Sequence, residues 1–234
     1  ALSENMPNFC KWILVVKNHK YNHVSFDLDG TLVDSLDIMR KAWEVTVDKF
    51  HLHHDFFEYR QEIGLPFPAI MKSINIVDED REIENFYFSQ TEDLSEQIKV
   101  YEGAVEFIES LVLNGISTSI ITSKPRTNTE TLLKQFNFKV DVLICGDDQI
   151  RAKPAAASMQ HVRKELNLRE KASIIYFGDM LSDIVFSVNS KIDYCHCNFG
   201  IYGSLPRCLV PAPKSIQHWK DDKLGDLGFI DLNK

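Results

Sequence analysis

Five short apolar runs in this 234-residue chain, each bounded by polar residues or glycine, constrain its fold more than any other feature. The runs lie at residues 23–28, 116–122, 140–145, 173–177 and 192–197. Runs of this length with such boundaries are typical of buried strands, and helical patterns separate them, for example at residues 129–136 and 155–166. Strands that alternate with helices in this way predict an α/β fold with a doubly wound, mainly parallel, Rossmann-like sheet.

One long stretch, residues 36–99, interrupts the alternation. Its pattern is helical, with no convincing buried strand, and Gly64-Leu65-Pro66-Phe67-Pro68 breaks it as a turn. We therefore expect a small helical domain, residues 36–99, inserted into a discontinuous core of residues 1–35 and 100–234. Near the ends of the chain, residues 12–16 are predicted to form an additional edge strand and residues 206–214 a loop.

The composition argues against several classes of protein. The formal net charge is −8, so the basic face of a nucleic-acid binder is not expected. No apolar run approaches the roughly 20 residues of a membrane span, and the first 20 residues lack the apolar stretch of a secretion signal. With 44% hydrophobic and 26% charged residues, the chain has the balance of an ordinary globular protein. We expect a cytoplasmic monomer or homodimer.

The five cysteines are too few and too scattered for a disulfide scaffold, so reduced thiols are expected. Cys195-His196-Cys197 resembles part of a metal site, but no second ligand pair with zinc-like spacing accompanies it. In an extended strand the two thiols share one face. Plain strand packing is therefore favoured over metal binding.

The strongest indication of function is Phe26-Asp27-Leu28-Asp29-Gly30-Thr31, at the end of the first apolar run. Asp27 and Asp29 are two residues apart, so at a strand end their side chains can point to the same side. Gly30 permits a sharp departure of the chain there. Because open α/β sheets bind ligands at the carboxyl ends of their strands, both aspartates are candidate site residues. An Asp-Gly hairpin turn is the simpler alternative.

A second acidic pair, Asp179 and Asp183, follows the apolar run at 173–177. These residues are four apart, so they share a face if a helix begins there. Helix capping explains Asp179 alone, but it does not explain a second acidic pair at a strand end. Four converging carboxylates repel one another unless a hard divalent cation lies among them. Mg²⁺ prefers such oxygen ligands.

Two other strand ends offer groups that bind phosphate. Thr122 and Ser123 place hydroxyls after one apolar run, and Lys153 precedes Pro154, which can open a helix. A lysine there provides a compact cation for a phosphoryl oxygen. Each residue alone is a weak signal, because Ser, Thr and Lys are common in solvated loops. Their shared position at strand ends gives the set its weight.

Taken together, the four segments resemble the haloacid dehalogenase-like hydrolases, which are predominantly phosphatases. Asp-x-Asp-Gly-Thr stands at residues 27–31, Thr at 122, Lys at 153 and Gly-Asp-x-x-x-Asp at 178–183, in the order of that family. The resemblance covers about residues 22–205. The phosphoglycolate phosphatase-like branch, with a helical cap after the first motif, is nearest. Ser123 and Ala156 depart from residues that are common in that branch.

The resemblance implies a Mg²⁺-dependent phosphohydrolase that acts through an aspartyl-phosphate intermediate. Asp27 is then the nucleophile, and Asp29 is the general acid and base. The implied metal ligands are the Asp27 carboxylate, the Asp29 backbone carbonyl and Asp179. Asp183 assists directly or through water.

The resemblance also implies roles around the substrate. Thr122, Ser123 and Lys153 hold the phosphoryl group, since phosphoryl transfer depends mostly on positioning and charge neutralisation. In this family the cap selects the leaving group, and Phe67 in the 64–68 turn is the predicted contact with a small phosphorylated metabolite. Packing inside the cap is the alternative role for Phe67.

Other functions within the same superfamily are alternatives. Dehalogenases and phosphonatases generally lack the second aspartate of the first motif, so Asp29 argues against both. Sugar phosphomutases keep that aspartate, although many of them have Glu where this chain has Gly178. A non-catalytic binding module on the same fold is the remaining alternative, and the intact acidic motifs argue against it.

Overall fold

The computed structural model describes residues 20–204 and 214–229. The strands within these residues are β1 (His23–Phe26), β2 (Val33–Asp34), β3 (Lys99–Val100), β4 (Ser117–Ile121), β5 (Val142–Ile144), β6 (Ile174–Gly178), β7 (Asp193–Cys197) and β8 (Lys214–Ile216). Six of them form one sheet in the order β5-β4-β1-β6-β7-β8, and each pairing in it is parallel. β2 and β3 pair antiparallel. The predicted α/β fold is confirmed.

The helices connect these strands. They are α1 (Leu36–Phe50), α2 (Phe56–Gln61), α3 (Phe67–Ser73), α4 (Glu82–Asp93), α5 (Ala104–Leu113), α6 (Arg126–Phe136), α7 (Ala157–Glu165), α8 (Leu181–Ser190) and α9 (Lys223–Asp226), with a short 3-10 helix at Ser95–Gln97. Local chemistry sets their ends: the Asp55 side chain caps α2, and α6 begins after Pro125 and ends at Asn137 in the left-handed conformation. Among the residues described, none of the helices has the length and apolar character needed to cross a membrane.

Side chains alternate between the two faces of the sheet, as strand geometry requires. In β6, Ile175 and Phe177 pack into one apolar cluster, and Ile174 and Tyr176 pack into another. Burial of a side chain such as Ile175 stabilises the fold by roughly 1.5–3 kcal/mol. Because both faces are covered, the strand ends are where polar groups can meet a ligand.

The helical segment, residues 36–99, packs around a third apolar cluster that includes Trp43 and Tyr59, whose ring centroids lie 4.4 Å apart. Met180 and Ile201 from the rest of the chain join this cluster. β2 and β3 lie at the two ends of the segment and pair with each other, so the chain leaves and re-enters the core at adjacent points. These features support the predicted division into a core and a helical cap, which stays a prediction.

Most predicted elements lie where the sequence indicates. The five predicted strands are present with ends that differ by one or two residues, and α7 lies within the predicted 155–166. The helix predicted at 129–136 begins earlier, at Arg126, because Pro125 can precede a first helical turn. The turn predicted at 64–68 ends at Pro66, because Phe67 already begins α3 and proline is tolerated in a first turn.

The ends of the chain were predicted less well. The loop predicted at 206–214 is wrong at its last residue, because Lys214 begins β8 beside β7. The other residues of that loop, apart from 214, and the edge strand predicted at 12–16 lie outside the described residues.

Cys195-His196-Cys197 forms the end of β7. Both thiols are free and buried in a sheet-face cluster. The His196 ring hydrogen-bonds with the Tyr194 hydroxyl (2.8 Å) and with the Gly203 carbonyl (2.6 Å). Strand packing therefore explains these residues, as predicted.

Candidate active site

Three buried carboxylates converge at the carboxyl edge of the central strands. Asp27 follows β1, Asp179 follows β6, and Asp183 lies in the first turn of α8. One oxygen from each carboxylate lies within 4.8 Å of the others. β1 and β6 are paired neighbours, so their carboxyl ends meet at one edge of the sheet. The structure thus brings together members of both acidic pairs found in the sequence.

Tight packing around this acidic cluster explains the glycine of the first motif. Gly30 has a φ of 78°, and a Cβ atom there would collide with the Asp179 carboxylate. The same carboxylate accepts hydrogen bonds from the Thr31 hydroxyl (3.2 Å) and from the Ile201 amide (2.6 Å). Two donors from different loops therefore hold Asp179 in position.

Lys153 links two of the carboxylates. Its Nζ donates to Asp27 Oδ1 and to Asp183 Oδ1, both at 2.8 Å, and it lies 3.0 Å from the Tyr176 hydroxyl. The other oxygen of Asp183 accepts hydrogen bonds from two backbone amides at the start of α8, at 3.1 and 3.0 Å. Asp183 thus positions Lys153, and Lys153 in turn orients Asp27.

Burial and mutual repulsion make ionisation of the carboxylates in this acidic cluster unfavourable. Burial raises the pKa of Asp27 to about 7, although Lys153 opposes this shift. Burial, and then the charges of Asp183 and Asp27, raise the pKa of Asp179 well above its usual value. For Lys153, burial acts to lower the pKa, but Asp183 and Asp27 raise it by more.

The cluster has the charge and the donor atoms of a divalent metal site. If all three carboxylates are ionised, as metal ligands are, they and the one ammonium leave two uncompensated negative charges in a buried place. One divalent cation balances that charge, and carboxylate oxygens are the ligands that Mg²⁺ prefers. The residues present therefore fit the metal that the sequence indicated.

Asp29, the second aspartate of the first motif, lies outside the acidic cluster and pairs with a residue that sequence reasoning missed. Lys124 Nζ lies 3.3 Å from Asp29 Oδ1, and both side chains are buried. That oxygen makes no hydrogen bond within the described part of the chain, so the contact is an ion pair. The position of Lys124 just after β4 is the signal that could have identified it.

Thr122 and Ser123 lie beside Asp29 in the same pocket. The Thr122 hydroxyl accepts a hydrogen bond from the Lys124 amide (3.2 Å), and the Ser123 hydroxyl donates to the Gly64 carbonyl (2.8 Å). Ser123, predicted to bind phosphate, therefore contacts the helical segment. Lys153 is buried and contacts Asp27 without lining the pocket.

The pocket lies between the strand edge and the helical segment, and the space within it that the centre of a water molecule can occupy is about 40 Å³. Its polar side consists of Asp27, Asp29, Thr122, Ser123 and Lys124. Its other side consists of Met39, Tyr59, Ile63, Gly64, Leu65, Phe67, Ile70, Tyr87 and Phe88. An apolar lining with a few convergent polar groups is the composition typical of small-molecule sites.

Phe67 lies where it could contact a substrate and where it packs inside the helical segment, the two roles considered for it. It is the first residue of α3, is buried, and lines the pocket. Its ring also packs against those of Tyr87 (5.1 Å) and Phe88 (5.6 Å). The geometry is compatible with a substrate contact and with packing inside the segment.

The chain is similar to a known family, to a curated relative and to solved structures. The family model described as haloacid dehalogenase-like hydrolase matches residues 24–197. The pyrophosphatase PpaX of Bacillus thuringiensis (strain Al Hakam) is 27% identical over 226 residues, which cover 92% of this chain and 99% of that protein. CbbY from Rhodobacter sphaeroides, solved in complex with phosphate, has a TM-score of 0.73 at 17% identity, over 88% of this chain and 96% of its own.

A second solved structure, of a predicted phosphoglycolate phosphatase from Haemophilus somnus, has a TM-score of 0.71 at 18% identity. The match covers 89% of this chain and 98% of that one. At such identities the likeness of the two structures shows a shared fold.

Proposed function

Since this chain belongs to the haloacid dehalogenase-like hydrolase family, we propose that it is a Mg²⁺-dependent phosphohydrolase that acts through an aspartyl phosphate. It is a phosphatase, as its relatives and structural neighbours are. The metal ion, the covalent intermediate and a small phosphorylated metabolite as substrate are our proposal. The observation that carries it is the buried cluster of Asp27, Asp179 and Asp183, in which Lys153 binds Asp27 and Asp183, beside a pocket with one polar and one apolar side.

Asp27 is the proposed nucleophile. Lys153 binds Oδ1, which orients the carboxylate so that Oδ2 can attack phosphorus in line with the leaving oxygen. The new bond joins Oδ2 to phosphorus, and the bond from phosphorus to the alcohol oxygen breaks. A water molecule then attacks the phosphorus, releases inorganic phosphate and restores the Asp27 carboxylate.

Asp29 is the proposed general acid and base. It lines the pocket beside Asp27. In its protonated form it gives its proton to the departing alcohol oxygen, and the resulting carboxylate then takes a proton from the attacking water, which restores the acid for the next turnover. Lys124, 3.3 Å away, stabilises the carboxylate that remains after the proton has been given. Thr122, which lines the same pocket, is the proposed hydroxyl donor to a phosphoryl oxygen.

The residues that would hold Mg²⁺ are Asp27, Asp179 and Asp183, with the Asp29 backbone carbonyl. When bound, the ion supplies positive charge for the phosphoryl oxygens. Asp183 has a second role, because it also fixes Lys153 through a 2.8 Å hydrogen bond.

The helical segment is the proposed cap over this site. Hydrogen bonds that join it to the core include those from Arg60 to the Ile201 carbonyl (2.6 Å), from Ser123 to the Gly64 carbonyl (2.8 Å), from Asn128 to the Phe88 carbonyl (3.0 Å) and from Thr131 to the Glu92 carboxylate (2.7 Å). A cap in this position excludes water and places its side chains against the leaving group.

The test is hydrolysis of 4-nitrophenyl phosphate by the full chain with Mg²⁺, with Ca²⁺, and with excess chelator. We expect Mg²⁺ to support turnover and the larger Ca²⁺ to support it poorly, because Ca²⁺ takes more ligands at longer distances.

Calorimetry provides a readout independent of activity: Asp179→Asn should weaken Mg²⁺ binding. Asp193→Asn, the same change at the start of β7, should not. Full activity in excess chelator would contradict the metal site.

A further inference from the structure

The side of the pocket that faces a leaving group carries no charge. Nine of the fourteen residues that line the pocket belong to the helical segment, and all nine are apolar, aromatic or glycine. In the proposed reaction Asp29 protonates the leaving oxygen, so the group attached to that oxygen must extend from Asp29 toward these residues. Their chemistry therefore decides which leaving groups fit.

The nine lining residues from the helical segment form what we call the wall of the pocket. Four aromatic rings make up a continuous part of this wall. Phe67 lies 5.1 Å from Tyr87, Tyr87 lies 5.2 Å from Phe88, and Tyr59 lies 5.3 Å from Tyr87, measured between ring centroids. Packing of each ring against the next restricts its rotation. The wall therefore offers a preformed surface for an apolar or planar group.

The cationic side chains near the pocket do not line its apolar side. The structure describes all of residues 36–99, and none of the Lys, Arg or His side chains among them lines the pocket. Arg60 donates to the Ile201 carbonyl (2.6 Å). Lys124, the single cation among the lining residues, lies on the strand edge, 3.3 Å from Asp29, and not on the apolar side. A carboxylate or a second phosphate that rests against the apolar side would lose water without gaining a counter-ion there, which is unfavourable.

We propose, on the premise of the phosphatase function above, that the substrate is a phosphomonoester of an uncharged, apolar or aromatic alcohol. Pyrophosphate and phosphoglycolate are then poor substrates, although relatives of this chain bear names that refer to them. The reaction is ordinary hydrolysis: the phosphorus–oxygen bond breaks, the alcohol leaves with the proton from Asp29, and water supplies the oxygen and proton that complete inorganic phosphate.

The first test compares benzyl phosphate, phosphoglycolate and pyrophosphate with Mg²⁺. Benzyl phosphate and phosphoglycolate are both esters of a primary alcohol, so the same kind of bond breaks and only the attached group differs. We expect kcat/KM to be at least about tenfold higher for benzyl phosphate. An equal or higher value for phosphoglycolate or pyrophosphate overturns the inference and leaves the phosphatase function intact.

A pair of variants in α4 tests the wall directly. Phe88 lines the pocket, whereas Phe86, in the same helix and also partly buried, packs against Phe50 (5.7 Å). Phe88→Ala should lower kcat/KM for benzyl phosphate about tenfold and leave that for phosphoglycolate nearly unchanged. Phe88→Lys should shift the preference further toward phosphoglycolate. Phe86→Ala should leave the preference unchanged; equal behaviour of the Phe86 and Phe88 variants overturns the inference.

Binding of inert analogues keeps the inference testable without turnover or variants. 2-Phenylethylphosphonate and 3-phosphonopropionate share the phosphonate and the two-carbon chain, and they differ only in ring against carboxylate. Calorimetry with the wild-type chain and Mg²⁺ should give at least about tenfold tighter binding of the phenyl compound. Equal or weaker binding overturns the inference. Absence of hydrolysis of every phosphate tested overturns the proposed function instead.

Discussion

The two sides of the pocket are built on opposite principles. On the strand edge, charged side chains are buried and held by short hydrogen bonds, such as that from Lys153 to Asp27 (2.8 Å). On the helical segment, apolar side chains are held by ring contacts, such as Phe67 against Tyr87 (5.1 Å).

Directional polar contacts fix the geometry for chemistry on a phosphoryl group. Apolar surface selects what is attached to that group. Substitutions on the strand edge should therefore change the rate for every substrate, and those on the wall should change the choice among substrates.

Asp27→Asn tests the strand edge and has the largest expected effect. The change keeps the shape of the side chain but removes the nucleophile, so kcat should fall at least about 10³-fold for both an aryl and an alkyl phosphate. It also removes one buried negative charge, so the free energy of unfolding without metal should stay the same or rise. Steady-state rates and urea unfolding in chelator measure the two effects.

Substantial residual turnover by Asp27→Asn would assign the nucleophile to another residue. A large loss confined to one class of phosphate would break the comparison itself, because the strand edge would then take part in selection. Unfolding of the variant would show that Asp27 is needed for the packing of Lys153.

The same contrast decides how much could be predicted from the sequence. Asp27, Asp29, Asp179 and Asp183 could be found because each pair lies within a few residues at the end of an apolar run, so local spacing carries the signal. The parallel sheet could be predicted for the same reason. β8 could not, since Lys214–Ile216 has a single apolar residue and depends on pairing with β7.

The apolar wall left no comparable trace in the sequence. Tyr59 in α2 and Tyr87 in α4 are far apart along the chain, and only tertiary packing brings their rings to 5.3 Å. Apolar spacing in a helix shows that a side chain is buried, but not whether it faces a core or a ligand. Lys124 was missed because a lysine in a loop is usually solvated, and its contact with Asp29 is a tertiary one.

Asp29→Asn sharpens the comparison, because its effect should depend on the bond that breaks and not on apolar contacts. We expect kcat/KM to fall about 100-fold for an alkyl phosphate, which needs a proton on the leaving oxygen. The fall should be about tenfold or less for 4-nitrophenyl phosphate, whose leaving group needs little protonation. Single-turnover measurements isolate this step from the later attack of water. Equal losses on both substrates would argue against Asp29 as the acid.

The dependence of stability on pH separates the interior of the sheet from the strand edge. His23 begins β1 and hydrogen-bonds with the hydroxyls of Ser117 (2.8 Å), Ser119 (2.9 Å) and Ser25 (3.0 Å). Burial, with a smaller contribution from Arg163, lowers its pKa to about 4. Because the unfolded chain has a histidine pKa of about 6.5, unfolded molecules bind more protons between these values. Stability is therefore complete above pH 6.5 and is lost as pH falls toward 4.

His23→Gln removes this titration and keeps hydrogen-bonding groups. Between pH 7 and pH 5 the wild type should lose about 2 kcal/mol of unfolding free energy relative to the variant. Urea unfolding at pH 7, 6 and 5 measures the difference. The site carboxylates are present in both proteins, so their contributions to the pH dependence of stability largely cancel. Parallel curves for the two proteins would mean that His23 does not titrate in this range.

The smallest expected effect is that of Phe67→Leu, which removes a ring from the wall but keeps an apolar side chain. Its cost in stability should be below about 1.5 kcal/mol, because volume is nearly conserved. We expect kcat/KM to fall about fivefold for benzyl phosphate, which reaches the ring, and to change little for methyl phosphate, which does not. Phe56→Leu is the control, because Phe56 stacks on Tyr59 (6.1 Å) without lining the pocket. If both variants lower both rates alike, Phe67 serves packing alone, and the division between a reacting side and a selecting side fails at this residue. A loss confined to Phe67→Leu and benzyl phosphate would place its ring against the leaving group.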